Sequence, residues 1–387
     1  MSAKILRVVS ILTAVLALSS PAFASGASEA VNNFAFNAGK VIMSNTKGDF
    51  FFSPYSIISA FGMAYAGTSG DTAREIESSL GLTKDIHASL GDLMTGLDSG
   101  GYVSSANRVW LKSGLCLKKT YTDTLSVCYN SDAYELDMKG MTEESRREIN
   151  DWVSLKTNGK INGLLSELDP ETRMIITNAV YFNAKWQSKF KKSATRKQKF
   201  YNAEGSKVVD MMCQREDFQY CEVDGVKVIM LPYEGYRLSM IAVLPPKGKP
   251  EVLKKVDAET FSRWLDNMEE YEVDLRLPKF KTEKKYEMKK IFETLGVREA
   301  FTNEADFSGM TDDEPLKADS VIHQTFIDVD EERTEAAAST AIGMVGATSV
   351  PMRKLFAEFH ADRPFMYFIR DNETGTILFM GYQAFME

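Results

Sequence analysis

Hydrophobic positions change their spacing along the chain. In the N-terminal half they recur at three- and four-residue intervals, the period of an amphipathic helix; in the C-terminal half they alternate or run on continuously, as strands do. The pattern predicts helices over 29–45, 57–65, 72–80 and 143–156. Ser53 and Pro54 mark a helix start after the short apolar run Phe51-Phe52, and Gly67 and Gly70 break the helix that follows. Trp152 and Val153 take the apolar side of the fourth helix, which ends in the turn Thr157-Asn158-Gly159-Lys160. Strands are predicted over 104–110, 174–182, 207–212, 226–231, 238–244, 271–277 and 321–329. The 174–182 run is too uniformly apolar for a strand with one wet face. A further helix is predicted over 286–294, stopped by Gly296. The chain closes with a hairpin, 365–369 and 377–380, joined through 371–375. Without regular strand–helix–strand alternation, this is an α+β chain rather than a parallel α/β one.

The segment 330–342 stands apart. It reads Asp-Glu-Glu-Arg-Thr-Glu-Ala-Ala-Ala-Ser-Thr-Ala-Ile and is almost free of bulk. Alanine content alone favours an exposed helix. On a strand, Thr334, Ala336, Ala338, Thr340, Ile342 and Met344 would share one face, and Glu335, Ala337, Ser339, Ala341 and Gly343 the other. The first face is small or apolar throughout, so the same segment suits an exposed loop and a buried strand.

Composition is that of a globular protein with a large core: 387 residues, 44% hydrophobic and 26% charged. No linker, repeat or low-complexity stretch divides residues 25–387, which read as one domain. Residues 1–24 read as a secretory signal peptide, with Lys4 and Arg7, an apolar run over 8–18 and the small-x-small end Ala22-Phe23-Ala24. The expected location is extracellular or periplasmic. No stretch suits a membrane span. The four cysteines, Cys116, Cys128, Cys213 and Cys221, allow two local disulfides, with Cys213 and Cys221 facing across a hairpin, or four buried free thiols. No C-x-x-C occurs, so no metal or cofactor is expected. The net charge of −8 argues against nucleic acid. The basic cluster Lys279, Lys281, Lys284, Lys285, Lys289 and Lys290 reads as a solvated face. With three histidines and neither G-x-S-x-G nor H-E-x-x-H, a hydrolase is not supported.

Several stretches, in order, resemble the serpin family of protease inhibitors. They are Phe51-Phe52-Ser53-Pro54-Tyr55-Ser56-Ile57, Trp152-Val153 with Thr157-Asn158-Gly159-Lys160-Ile161, and Thr177-Asn178-Ala179-Val180-Tyr181-Phe182-Asn183-Ala184-Lys185-Trp186. Leu277-Pro278-Lys279-Phe280, Ala305-Asp306-Phe307-Ser308-Gly309-Met310, the hinge 331–340 and His360-Ala361-Asp362-Arg363-Pro364-Phe365 complete the set. The resemblance implies the serpin fold: three β-sheets, about eight or nine helices and an exposed reactive-centre loop over about 331–361. It implies a non-enzyme, a monomer that traps a serine or cysteine protease covalently. The protease cuts the loop, and the loop inserts as a new central strand. Some 15 inserted residues would carry the cut end on the order of 50 Å. The native state must then be metastable.

The same resemblance implies residue roles. Ser53, Ser56, Asn178 and His323 match the shutter, a polar cluster beneath the strands that part. Trp186 and Lys279 match the breach where insertion starts, with Lys279 and Glu331 an ion pair. As a surface pair this would be worth about 0–1 kcal/mol. Glu331, Arg333, Thr334, Glu335, Ala336, Ala337, Ala338, Ser339 and Thr340 match the hinge. Arg333 departs from the pattern, because inhibitory members carry glycine there. A glycine moves freely in φ and ψ, whereas arginine is restricted and charged. Non-inhibitory members usually lose the small residues that this hinge keeps. The loop is also longer than usual. Counting from Glu331 places the cut at Ala347-Thr348, and counting back from Pro364 places it later, with Met352-Arg353 the best candidate. Ala347 suits elastase-like or subtilisin-like pockets, Met352 elastase or chymotrypsin types, and Arg353 trypsin types. The alternative reading is a serpin-fold binding or chaperone-like protein that no longer inserts.

Overall fold

A computed structural model describes residues 26–98, 101–334 and 355–386. The chain opens on α1 (Gly26–Asn45), whose buried Ala27, Ala30, Val31, Phe34, Ala38 and Ile42 follow the helical period. After β1 (Phe50–Phe52), Ser53 caps α2 (Pro54–Tyr65). Its Oγ accepts from the Ser56 amide at 3.1 Å, and Pro54 occupies the first turn, where no amide donor is needed. Every residue of α2 is buried.

Helices α3 (Gly70–Leu80) and α4 (Ile86–Asp98) lead to β2 (Val103–Lys112), α5 (Lys119–Tyr129), β3 (Ala133–Leu136) and α6 (Thr142–Lys156). Strands dominate from there. They are β4 (Met174–Phe182), β5 (Ala184–Lys185), β6 (Arg196–Asn202), β7 (Gly205–Val223), β8 (Val226–Pro232) and β9 (Leu238–Leu244). After α7 (Ala258–Asp266) come β10 (Glu269–Pro278) and β11 (Phe280–Glu287), then α8 (Lys289–Leu295). The chain ends through β12 (Ser320–Val329), β13 (Arg333–Thr334), β14 (Phe356–His360), β15 (Phe365–Asp371) and β16 (Ile377–Gln383).

The strands form a nine-stranded sheet, β1-β16-β15-β9-β8-β7-β10-β14 with β6 on β7, a five-stranded sheet, β11-β12-β4-β2-β3, and the two-residue ladder β13-β5. The five-stranded sheet separates two cores. Met174, Ile176, Val180 and Phe182 of β4 face the larger core with α1 and α2. Ile175, Ala179 and Tyr181 face the smaller one, with Ile149 and Val153 of α6 and with Ile161. A strand covered on both faces must be apolar throughout, which is why β4 shows no alternation.

Three expectations change. The helix expected over 286–294 shrinks to α8, because 280–287 form an edge strand instead. In it, buried Phe280 and Thr282 alternate with exposed Lys281 and Glu283. The disulfides are absent: all four cysteines are free thiols. Cys213 and Cys221 lie along one strand, β7, about 26 Å apart rather than across a hairpin. The rise of α5 from Lys119 to Cys128 is alone about 14 Å, and Cys116 precedes the helix. Both spans far exceed the reach of a disulfide. The ion pair of Lys279 and Glu331 is not a surface pair, since Glu331 is buried. Among the described residues no helix is long and apolar enough to cross a membrane.

Candidate functional site

The contact that matters lies at the centre of the five-stranded sheet. There β12 and β4 pair in parallel, residues 320–326 against 175–181. A chain that leaves the end of β12 and turns back therefore runs antiparallel to β12 and to β4 alike. One slanted parallel ladder could be exchanged for two antiparallel ones, which pair slightly better per residue. The turn is already made. Beyond Asp330 the backbone reverses, and β13 pairs antiparallel with β5, Arg333 opposite Lys185 and Thr334 opposite Ala184.

A polar row crosses this sheet in a single register. Tyr286 of β11 pairs with His323 of β12, His323 with Asn178 of β4, and Asn178 with Asn107 of β2. Beneath it sits the N-terminus of α2. His323 Nε2 accepts from the Ser53 amide at 3.0 Å, so the ring proton resides on Nδ1 and is donated to Asn178 Oδ1. Asn178 Nδ2 donates to the Ser56 carbonyl at 3.0 Å and to Asn107 Oδ1. Ser56 Oγ also donates to Asn107, at 3.2 Å, and Ser53 Oγ donates to the Leu378 carbonyl at 2.7 Å. Burial pushes the His323 imidazole down to about 3. It is thus a neutral hydrogen-bond relay, not a charge. Asn107 belongs to this cluster as closely as the four residues singled out from sequence. No local signal marks it, since β2 also carries Ser104, Ser105 and Arg108.

At the upper end, the base of the loop is tied to the 184–195 segment. Trp186 Nε1 donates to the Asp330 carbonyl at 2.9 Å, and its amide donates to Glu332 O at 3.3 Å. The Phe190 amide donates to Glu331 O at 2.9 Å. The Trp186 ring stacks on Tyr233, centroids 4.6 Å apart. Glu331 accepts from Lys279 Nζ at 2.8 Å and from Thr195 Oγ1 at 2.7 Å. Burial alone would raise the Glu331 carboxyl; these two donors outweigh it and hold the group below its usual range. Lys192 adds an ion pair to Glu332 at 2.6 Å. Hinge positions 335–340 and the cut-site candidates Ala347, Thr348, Met352 and Arg353 lie outside the described residues. The downstream end of the loop leads into β14, which pairs parallel with β10.

The arrangement joins a seam in the sheet to a chain that returns beside it. What it offers is a strand-wide seam with polar groups that can exchange partners, and a returning chain poised at its mouth. Comparison with known proteins agrees with this geometry. The family model described as serpin (serine protease inhibitor) matches residues 29–384. A serpin-like protein of Thermococcus kodakarensis is 40% identical, over 91% of this chain and 84% of its own. The leukocyte elastase inhibitor of Equus caballus is 35% identical, over 87% and 93%. The crystal structure of Serpin48 from Tenebrio molitor superposes with a TM-score of 0.82 at 29% identity, over 93% of this chain and 98% of that one.

Proposed function

The chain belongs to the serpin family, and from that premise we propose that it is a secreted inhibitor of serine endopeptidases. It acts by letting the protease cut its loop and then inserting the loop between β12 and β4. The observation that carries this reading is the reversed β13 beside a parallel β12–β4 pair. Serpins generally inhibit proteases by forming covalent complexes with them, and a leukocyte elastase inhibitor stands among the relatives. The 1–24 pattern supports secretion.

Continuing the register of Thr334 opposite Ala184 sets residues 336, 338 and 340 opposite Phe182, Val180 and Asn178, on the side of the larger core. Those positions hold alanine, alanine and threonine, small enough to slide beneath the seam. Thr340 would meet the polar row, where Asn178 and His323 must find new partners as the strands separate. Residue 344 falls opposite Met174, so a cut after Ala347 frees enough chain to fill the whole length of β4. A cavity of about 700 Å³ at the foot of the seam, lined in part by Leu165, Thr172, Ile175, Ser320 and Ile322, would receive the strand's end.

Incubation with elastase, subtilisin, trypsin and chymotrypsin, followed by denaturing gels, tests the proposal. A covalent band that survives SDS is expected with at least one of them, and mass spectrometry of the released fragment locates the cut. Cleavage by all four with no such band refutes inhibition. The second reading, a binding protein that does not insert, rests on Arg333 in place of the hinge glycine. It calls for cleavage without any change in thermal stability.

A further inference from the structure

At the upper end of the seam, on the face away from the polar row, Tyr181 of β4 stands opposite Phe326 of β12. Both are buried, and their ring centroids are 5.7 Å apart. The Lys160 ammonium lies 5.6 Å from the Tyr181 ring and 5.8 Å from the Phe326 ring, so it straddles the seam. Its place is fixed by the turn that ends α6. Asn158 and Gly159 both take positive φ, 53° and 71°. The Lys160 amide donates to the Thr157 carbonyl at 3.0 Å, and the Ile161 amide donates to Thr157 Oγ1 at 3.2 Å. Ile161 is anchored in the smaller core. Lys281 also lies over Phe326, at 4.8 Å, but it comes from β11 and does not reach across the seam. The Tyr181 hydroxyl is buried with no hydrogen-bond partner among the described residues, which marks the closed seam as imperfectly satisfied at this point.

We propose that Lys160 is a positioning residue that latches the seam shut and sets the rate at which a strand can enter it. The inference rests on the insertion reading above. Neighbouring strands lie about 4.8 Å apart, so an inserted strand separates β4 from β12 by about 10 Å. The Tyr181 and Phe326 rings then part, and one ammonium can no longer serve both. Lys160 thus stabilises the closed seam and not the open one, and only such a difference can shift an opening equilibrium.

The test is amide hydrogen exchange of the intact protein, comparing wild type with Lys160→Met, which keeps the aliphatic stem, and Lys160→Arg, which keeps the cation. In Lys160→Met, amides in 175–181 and 320–326 should exchange about tenfold faster, while the β2–β3 ladder is unchanged. Lys160→Arg should behave as wild type. Unchanged seam exchange in Lys160→Met, equal acceleration everywhere, or failure of the arginine to rescue would overturn the latch. With a target protease, Lys160→Met should raise the ratio of covalent complex to released cleaved protein several-fold. If no variant forms a complex yet the seam amides respond as stated, the inhibitor reading falls and the latch stands.

Discussion

Acidification should loosen this fold through one histidine, and the effect can be worked out from its surroundings. His323 is buried, accepts a backbone amide and is held neutral, with its pKa pushed down to about 3. In the unfolded chain an imidazole titrates near 6.5. Between those values the unfolded state binds a proton that the folded state refuses, so stability rises with pH across the window and falls as pH drops through it. At about 1.4 kcal/mol per pH unit, this site alone removes about 1 kcal/mol at pH 5.5 and about 3 kcal/mol at pH 4.5, relative to neutral pH. The control is His323→Gln, whose carboxamide can accept from the Ser53 amide and donate to Asn178 without titrating. Urea midpoints for both proteins at pH 7.5, 6.5, 5.5 and 4.5 give the comparison. Wild type should lose stability relative to the glutamine variant progressively below pH 6.5. Parallel curves for the two proteins would refute the argument, because the remaining groups, His87 included, are common to both.

Other consequences follow from the loop base and the thiols. Arg333→Gly should increase the rate of covalent complex formation in stopped incubations, and slower formation would contradict the view of the hinge. Lys279→Met leaves the buried Glu331 carboxylate with Thr195 as its remaining side-chain donor. Since Lys279 itself is about one-third exposed, the cost should be about 1 kcal/mol in thermal unfolding. Thiol titration in denaturant without reductant should find four reactive groups, and reductant should leave the melting temperature unchanged; two or fewer thiols would disprove the free state. Asn107→Ala should destabilise by about 1–2 kcal/mol, because Asn178 Nδ2 and Ser56 Oγ both lose their acceptor on it.

Much of this architecture could be read from residue order, and the exceptions have physical causes. Long apolar runs such as β4 and β9 announced themselves, because both faces of each are covered. The capped α2 was marked by Ser53 and Pro54. β11 gives no clear strand pattern, and the helix expected over 286–294 takes in its last two residues, because its lysines and glutamates are good helix formers. Its two-residue period, with Phe280 and Thr282 inward, is a weak signal in an edge strand. β14 escaped notice because it is short and its partner, β10, is distant in sequence. The polar cluster was partly legible through its resemblance to a family. Asn107, however, joins it only through the register of β2 on β4, which no local pattern encodes. The burial of Glu331 was likewise invisible, since it depends on the 184–195 segment, with Trp186 and Thr195, meeting Lys279 between β10 and β11.

Melting of the intact protein against the same protein nicked once within 335–354 bears most directly on the central claim. If the freed chain enters between β12 and β4, the nicked form gains two antiparallel ladders and should melt well above the intact one. Equal or lower melting of the nicked protein would mean that the sheet does not admit its own loop, and the mechanism built on that seam would be wrong.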